Sequence, residues 1–395
     1  MTEPKEAWIT GIGIVSSLGE GLDAHWDALN ARRINVDEKR FAPYIVHPLA
    51  PISFDVQIPK KGDQRQMEGW QRIGTYAAGL ALDSAGVKGN QEILGRMDMI
   101  VAAGGGERDI AVDMAILNAD AKGNSAPSFL NERLMNDLRP TLFLAQLSNL
   151  LAGNIAIVHG VSGTSRTFMG EEAASIDAAR IALARIASGQ SDIALVGAAH
   201  NGERPDLLVL YEFGDFNLTD KFAPVWARDK NSGFALGSAG VFLVVESKEH
   251  AQARGAKPYA KLTNVVADLA QRKQPGAVTK SLEALWSNLG ALTDNGNLIT
   301  GATGVEPVTS EEKAFLKRHP GYAVRATGTT FGHTLETQFP LGLALAALSI
   351  SRGALFPPND PTGLEVEMSA PPTQIVVVGT GHWQGEGMAL VEAIS

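Results

Sequence analysis

The chain alternates short runs of β-branched residues with alanine-rich helical stretches, and it does so in two successive series. This alternation is typical of α/β proteins, in which helices cover the faces of a sheet. The first series predicts strands at residues 8–15, 99–103, 193–197 and 240–246 and a helix at 72–85. The second predicts strands at 259–266, 297–300, 375–378 and 390–393 and helices at 279–290 and 341–352. Two similar series of unequal length predict two related halves, 1–250 and 251–395, joined near residues 247–256.

Composition excludes several classes of protein. Of the 395 residues, 45% are hydrophobic and 19% are charged, which is ordinary for a globular protein. No stretch approaches the roughly 20 apolar residues that a membrane span needs. The formal net charge of −9 argues against a general affinity for nucleic acid. The first residues are polar and acidic, unlike a signal peptide, so we expect a cytoplasmic protein without a membrane span.

The chain contains no cysteine. This absence excludes disulfides, thiolate metal ligands and thiolate nucleophiles together. The absence of cysteine therefore bears on function wherever the chemistry of a fold ordinarily depends on a thiol.

Five short blocks, spread from end to end, carry a family resemblance. They are ITGIGIVSSLG at 9–19, KKGDQRQM at 60–67, NLLAG at 149–153, SGFALGSAG at 232–240 and TTFGH at 329–333. In this order and at this spacing they resemble the β-ketoacyl-acyl-carrier-protein synthases of type II, members of the thiolase superfamily. The resemblance implies a thiolase-like α/β fold of five layers, αβαβα, with two pseudo-equivalent halves. It also implies a dimer, with residues 154–158 or 164–169 at the interface.

The nucleophile of that family is a cysteine at the N-terminus of a buried helix, where the helix dipole favours the thiolate. Counting without gaps from Gly160 and Gly163 places the corresponding position at Glu172, and counting back from the segment 188–199 gives the same residue. Apolar residues at helical spacing follow it. The block resembles chain-length-factor subunits, in which glutamine replaces the cysteine. A carboxylate is a poor acyl acceptor, so we expect no stable covalent intermediate at Glu172.

The other catalytic groups of the family are two histidines and a lysine. The resemblance places the first histidine at Gly301 and the lysine at Gly328, so both are replaced, while the second histidine is retained as His333. In the family, a phenylalanine in the final glycine-rich loop gates the pocket. The corresponding loop here contains His382 and Trp383, which we expect to line the substrate pocket.

Simpler interpretations of these residues stay open. Glu172 can be a helix-start carboxylate that only interacts with the dipole, in which case Glu172→Gln should barely change stability. His333 can be a core histidine with satisfied hydrogen bonds. The Glu171-Glu172 pair suggests a metal site, but no histidine lies at ligand spacing in the sequence, so we predict neither a metal nor a cofactor. The hydroxyl-rich run at 162–167 is best explained as an edge strand.

A basic segment near the N-terminus suggests a partner. Lys61 and Arg65 are candidates for docking acyl carrier protein, which is acidic, although they can equally be part of a solvated face. The expected partners are therefore an acyl carrier protein and a second synthase chain, as a homodimer or as a heterodimer with an active ketosynthase.

Three functions remain compatible with the sequence. The first is a degenerate synthase of fatty-acid or lipid biosynthesis that serves as the non-condensing partner of an active one. The second is an acyl-carrier-protein-dependent decarboxylase or acyltransferase that uses Glu172 and His333. The third is a non-enzymatic module that binds acyl groups or their carrier. The retained fold with altered catalytic positions favours the first.

Overall fold

The structure, a computed structural model, describes residues 3–123, 126–138, 142–228 and 232–394. The strands are β1 (Ala7–Ser16), β2 (Gly19–Glu20), β3 (Val46–His47), β4 (Asp98–Ala102), β5 (Ser165–Phe168), β6 (Ile193–His200), β7 (Leu236–Gly237), β8 (Ala239–Ser247), β9 (Ala260–Asp268), β10 (Asn297–Thr300), β11 (Ala323–Ala326), β12 (Gln374–Thr380) and β13 (Glu386–Glu392). The helices are α1 (Gly21–Asn30), α2 (Lys61–Gln66), α3 (Gly69–Ser84), α4 (Gln91–Leu94), α5 (Ile110–Ala121), α6 (Pro127–Asn136), α7 (Leu142–Ala145), α8 (Leu150–His159), α9 (Glu171–Ala187), α10 (Pro205–Glu212), α11 (Lys248–Ala253), α12 (Ala277–Asn288), α13 (Val308–Leu316), α14 (Thr327–Thr330) and α15 (Gln338–Arg352). Within these described ranges, every helix falls short of the length and apolarity needed to cross a bilayer.

The main sheet is mixed, with the strand order β11-β10-β12-β13-β9-β1-β8-β6-β4-β5. Strand β1 joins its two halves, because it pairs antiparallel with β8 along its length and with β9 at Ala7–Ile9. Helices α9 and α15 contact strands of both halves. Helices α3 and α8 pack against strands of the first half. Helix α12 packs against strands of the second half, and α13 packs against α12. The order of layers is therefore αβαβα, and the predicted thiolase-like fold is confirmed.

The central helix α9 is rich in alanine because it lies between two sheet layers. Its buried side chains include Ala174, Ala178 and Ala182, which allow close approach, and Ile176, which fills the space towards β13. A Cβ atom at Gly387 of β13 would overlap the Ile176 side chain, so glycine is required for this contact. Burial on both sides fixes the start of α9, and with it the site.

The predicted strands and helices are all present, with differences at their ends. Helix α3, predicted from residue 72, begins at Gly69 because a capping box precedes it. In that box the backbone N–H of Glu68 donates to Gln71 Oε1 at 3.0 Å. The division proposed at residue 250 lies within α11, between the two series of strands, and it stays a prediction.

Several large apolar side chains of the first half are exposed. Strand β5 is an end strand of the sheet, and Met169, which follows it, is well exposed. Ile157 of α8 and Phe213, at the end of α10, are also exposed. The dimer contact expected at 154–158 or 164–169 stays a prediction; the first range includes Ile157 and the second includes Met169.

Candidate functional site

A strained turn at the start of α9 points two successive carboxylates in different directions. Gly170 has φ 134° and Glu171 has φ 54°, a region that non-glycine residues seldom occupy. Beyond this turn Glu172 lies in the interior with 1% of its surface exposed. Such strained conformations are found mainly where the surrounding structure requires them, often at functional sites.

Glu172 accepts hydrogen bonds from two histidines that are distant in sequence. Its Oε1 atom lies 2.6 Å from His333 Nε2 and 2.9 Å from His382 Nδ1. The backbone N–H of His382 donates to the same oxygen at 3.2 Å. Both histidines are 3% exposed. The structure thus brings together three of the residues singled out in the sequence, around one buried carboxylate oxygen.

The three groups have different protonation preferences. Burial alone would raise the pKa of Glu172, but the positive charge of His382 and the hydrogen bonds from both histidines hold this pKa well below its usual range. Burial tends to lower the pKa of His382, yet the neighbouring Glu172 carboxylate raises it overall. Burial dominates at His333 and lowers its pKa. We therefore assign an ionised Glu172, a protonated His382 and a neutral His333 that donates through Nε2.

Aromatic rings surround the protonated histidine. The ring of His382 lies with its centroid 4.7 Å from Phe216, 5.4 Å from Phe234 and 5.5 Å from Tyr211, each nearly perpendicular to it. Phe234 also contacts His333, with centroids 4.7 Å apart. These rings keep water away from the ion pair, and a charge interaction is stronger where water is excluded.

The two positions that the family resemblance assigns to a histidine and a lysine are crowded. A Cβ atom at Gly301 would overlap Gln338, whose Nε2 atom donates to the Gly301 carbonyl. A Cβ atom at Gly328 would overlap the carbonyl oxygen of Ala302, a backbone atom. Neither glycine is therefore a simple deletion, because the surrounding structure has closed over both positions.

Glu171 links the walls of two cavities. Its Oε1 accepts from the hydroxyl of Tyr211 at 2.8 Å, and its Oε2 accepts from Nε1 of Trp383. Glu171 and Tyr211 line a cavity of about 440 Å³, whereas His382 and Trp383 line another of about 420 Å³. The hydrogen bonds of Glu171 therefore connect residues that line the two cavities. The role of His382 and Trp383 in a substrate pocket stays a prediction.

Comparison with known proteins assigns the family. The profile of the family "Beta-ketoacyl synthase, N-terminal domain" matches residues 5–251, more than half of the chain. The chain belongs to the β-ketoacyl synthase family. It is 26% identical to 3-oxoacyl-[acyl-carrier-protein] synthase 2 of Vibrio cholerae serotype O1 over 267 residues, which is 64% of this chain and 61% of that relative. The chain thus matches about three fifths of the length of that relative.

Two further relatives match over nearly the whole chain. The ketoacyl synthase beta subunit of the tetracenomycin polyketide synthase of Streptomyces glaucescens is 26% identical over 382 residues, covering 92% of this chain and 90% of the relative. The structure of the ishigamide ketosynthase/chain length factor superimposes with a TM-score of 0.82 over 99% of this chain and 100% of that chain, at 20% identity. At this identity the structural match shows the fold alone.

This member of the β-ketoacyl synthase family also contains a group of side chains that could hold a metal ion. The ligand atoms of Glu172, His333 and His382 all lie within 4.8 Å of one another. Two imidazole nitrogens and a carboxylate suit zinc or another divalent transition metal. The expectation of no metal depended on the lack of a histidine at ligand spacing in the sequence, and the tertiary contacts remove that reason.

The proposed docking residues lie away from this cluster in sequence, on helix α2. Lys61 forms an exposed ion pair with Asp55, and Arg65 donates through Nε to the carbonyl of Lys61 at 3.3 Å. Both cations are exposed to solvent, as docking would require, although Asp55 balances part of the charge of Lys61. Their role stays a prediction.

Sequence reasoning missed three features of the site. It gave His382 no contact with Glu172, it assigned no role to Gln338, and it overlooked a second pairing, between His200 and Glu336. A usable signal existed only for His382, since the resemblance placed it in the loop that corresponds to the family's final glycine-rich loop. The other residues carry no motif.

Proposed function

We propose that this chain is a non-condensing partner subunit of a cysteine-containing β-ketoacyl synthase in polyketide or fatty-acid synthesis. The observation that carries the proposal is the state of Glu172. It occupies the nucleophile position, and its carboxylate is bonded to both His333 and His382 in the interior. A chain with this arrangement lacks the thiolate on which the condensation depends.

The remaining groups support the same conclusion. Condensation needs donors that stabilise a developing negative charge. Here the imidazole protons at His333 Nε2 and His382 Nδ1 are already directed at Glu172, and Gln338 occupies the space beside Gly301. The ionised carboxylate would also repel an enolate or an oxyanion. The bonded side chains therefore occupy the space and the donors that condensation would need.

A role as partner subunit explains why the chain has the fold of the family although it lacks the catalytic thiol. One relative is named as the beta subunit of a ketoacyl synthase, and one structural neighbour contains a ketosynthase with a chain length factor. The apolar surface around β5, with Ile157 and Met169 exposed, suits a second synthase chain. We propose a heterodimer through this surface, with a homodimer as the alternative.

One observation favours a second candidate, an acyl-carrier-protein-dependent decarboxylase or acyltransferase. The low pKa of Glu172 and the raised pKa of His382 are pushed apart, which is a pattern of acid–base sites. In this alternative His333 and Glu172 contact the substrate after it displaces one of their hydrogen bonds. A purely binding module is the third alternative, and it predicts no effect on any product.

The test uses the full chain with a cysteine-containing synthase and its carrier protein. Alone, the chain should give no acyl adduct by intact mass and no condensation product from malonyl and acyl thioesters. Added to the synthase, it should alter the amount or length of the products, and Glu172→Gln should keep most of this effect. A loss of about 10²-fold or more in Glu172→Gln would favour the catalytic alternative.

A gain-of-function variant tests the state of the supporting groups. Glu172→Cys alone should acylate slowly and should not condense efficiently, because Gly301 and Gly328 lack the space for the missing side chains. Efficient condensation by this single variant would contradict the proposal that the site is degenerate.

Docking of the carrier is tested by charge reversal on α2. Lys61→Glu with Arg65→Glu should weaken binding of an acidic carrier protein and reduce its salt dependence. The double variant Lys257→Glu with Lys317→Glu, which reverses two exposed lysines elsewhere, is the matched control. Equal affinity in both double variants would place the docking site away from α2.

A further inference from the structure

One oxygen of the buried Glu172 carboxylate has no hydrogen-bond donor. The bonds from the His333 ring, the His382 ring and the His382 backbone all reach Oε1. Among the described residues no donor reaches Oε2, although Glu172 is only 1% exposed. Buried polar atoms are nearly always bonded, and an atom without a protein partner is a place to look for a water molecule or an ion.

The groups around this carboxylate form the donor set of a transition-metal site. His333 Nε2, His382 Nδ1 and a carboxylate oxygen of Glu172 all lie within 4.8 Å of one another. Two imidazoles with one glutamate form the protein ligands of some zinc sites. Magnesium and calcium prefer ligand sets made of oxygen atoms. The donor types therefore favour zinc or a similar transition-metal ion over these harder cations.

The spacing requires a rotation of one carboxylate group. Two ligands of a tetrahedral zinc ion, each about 2.0–2.1 Å from the metal, lie about 3.3 Å apart. Glu172 Oε1 is closer than this to both histidines, at 2.6 and 2.9 Å, because these contacts are hydrogen bonds. The terminal torsion of a glutamate is broad, so the carboxylate can turn and offer Oε2 to the metal. The ion then replaces the protons now shared between the carboxylate and the two rings, since metal-bound nitrogens carry no proton.

The charges around the cluster suit a divalent cation. Glu171, which precedes Glu172, is a second carboxylate, and its Oε2 accepts from Nε1 of Trp383, the residue after His382. Arg272 lines the same cavity as His382, but it is paired with the buried Glu386 at 2.6 Å. The two successive carboxylates can therefore balance the two charges of the ion.

We propose that Glu172, His333 and His382 bind one zinc ion or a similar divalent transition-metal ion. The ion joins the start of α9 to the loops that contain His333 and His382, which only hydrogen bonds connect in the metal-free chain. Three protein ligands leave the fourth position of the tetrahedron for a water molecule. The inference goes beyond the proposed function and does not depend on it, because a non-condensing subunit can fold with or without a metal.

The experiment adds ZnCl2 to the full chain after treatment with a chelator and dialysis. Calorimetric titration should show one ion per chain with a Kd of about 1 µM or lower. Because the ion binds the folded state, the Tm should rise with the zinc concentration. MgCl2 at the same concentrations should give neither effect. CoCl2 should give the visible absorption of a tetrahedral cobalt ion, which reports directly on the ligand geometry.

Two variants locate the ion. Glu172→Gln keeps the shape of the side chain but replaces the carboxylate with a neutral amide, so zinc affinity should fall at least about 100-fold. His382→Phe should have the same effect, and circular dichroism checks that each variant is folded. The matched control is His319→Gln, which removes an imidazole 3.4 Å from the carboxylate of Glu283, outside the cluster. It should keep the wild-type affinity and the cobalt spectrum.

Absence of zinc binding by the wild type would overturn the inference. Unchanged affinity in folded Glu172→Gln, or loss of binding in His319→Gln, would also overturn it, since the ion would then lie at another site. The effect of the chain on the products of a partner synthase is measured separately. The proposed function can therefore survive if the metal site is wrong, and the metal site can survive if the proposed function is wrong.

Discussion

The two carboxylate–imidazole groups of this protein differ in how fully they are bonded. Glu172 accepts three hydrogen bonds at one oxygen, at 2.6, 2.9 and 3.2 Å, and its histidines are packed among aromatic rings. Glu336 lies 3.7 Å from His200, and the other nitrogen of that imidazole has no partner among the described residues. The residue types are the same and each group lines a cavity, but the Glu172 group is the more fully bonded.

This difference teaches how tightly each group is held. Three hydrogen bonds at one oxygen hold Glu172 in the interior, and a ligand could reach that oxygen only by displacing one of them. The contact between His200 and Glu336 is longer than a hydrogen bond, so less bonding would be lost there.

Removing one histidine from each group should give the largest difference in unfolding free energy between the two groups. His382→Phe leaves the buried charge of Glu172 without its counter-ion, so we expect unfolding free energy to fall by about 3–5 kcal/mol. His200→Phe removes only the 3.7 Å contact with Glu336, which is longer than a hydrogen bond, so it should cost less than His382→Phe. Urea unfolding of both variants measures the difference. Equal losses would show that the two groups are bonded to the same extent.

Glu172→Gln should have the next largest effect on stability. A carboxylate that interacts only with the helix dipole would contribute about 0.3–1 kcal/mol, which is the basis of the prediction from sequence. The structure places it in the interior beside a protonated His382, so we expect a loss of about 2 kcal/mol, typical of a hydrogen bond to a charged group. Thermal unfolding decides between the two values, and a loss below 1 kcal/mol would return Glu172 to the simpler role.

Free space should also differ between the two groups. Gly301→Ala forces a methyl group into the Gln338 side chain, and we expect a loss of about 1–2 kcal/mol from overpacking. Gly105→Ala places the same methyl in the cavity wall, where no atom lies within 4 Å, and should be nearly neutral. Matched unfolding curves test this pair. A neutral Gly301→Ala would show that Gln338 can move aside, which would reopen the site.

The smallest expected effect is the pH dependence of the Glu172 group. His382 has a raised pKa, so its contribution is fully present below the unfolded-state pKa of about 6.5 and is lost as pH rises through the folded value. Glu172 has a lowered pKa, so its contribution is present above about pH 4.3 and is lost as pH falls through the folded value. The difference in unfolding free energy between the wild type and His382→Phe should therefore be greatest between these pH values. A flat difference from pH 4 to 9 would contradict the assigned ion pair.

The sequence by itself determined the layers and the absence of a thiol. Strand and helix periodicity depends on neighbours a few residues away, so β10 and α15 are visible in the sequence. The assignment of Glu172 to the nucleophile position depends on local spacing to flanking glycines and stays a prediction, whereas the lack of a thiol follows from composition alone. These properties do not depend on how the halves meet.

Only the tertiary structure decided what Glu172 contacts. His333 and His382 are 161 and 210 residues away from it in sequence, and they reach it because α9 is enclosed between two sheet layers that bring the loops after β11 and β12 to its N-terminus. The filling of Gly301 by Gln338 and the approach of Glu336 to His200 arise in the same way. Contacts of this kind depend on side-chain direction and packing across layers, and a periodic pattern along one chain segment contains no information about either.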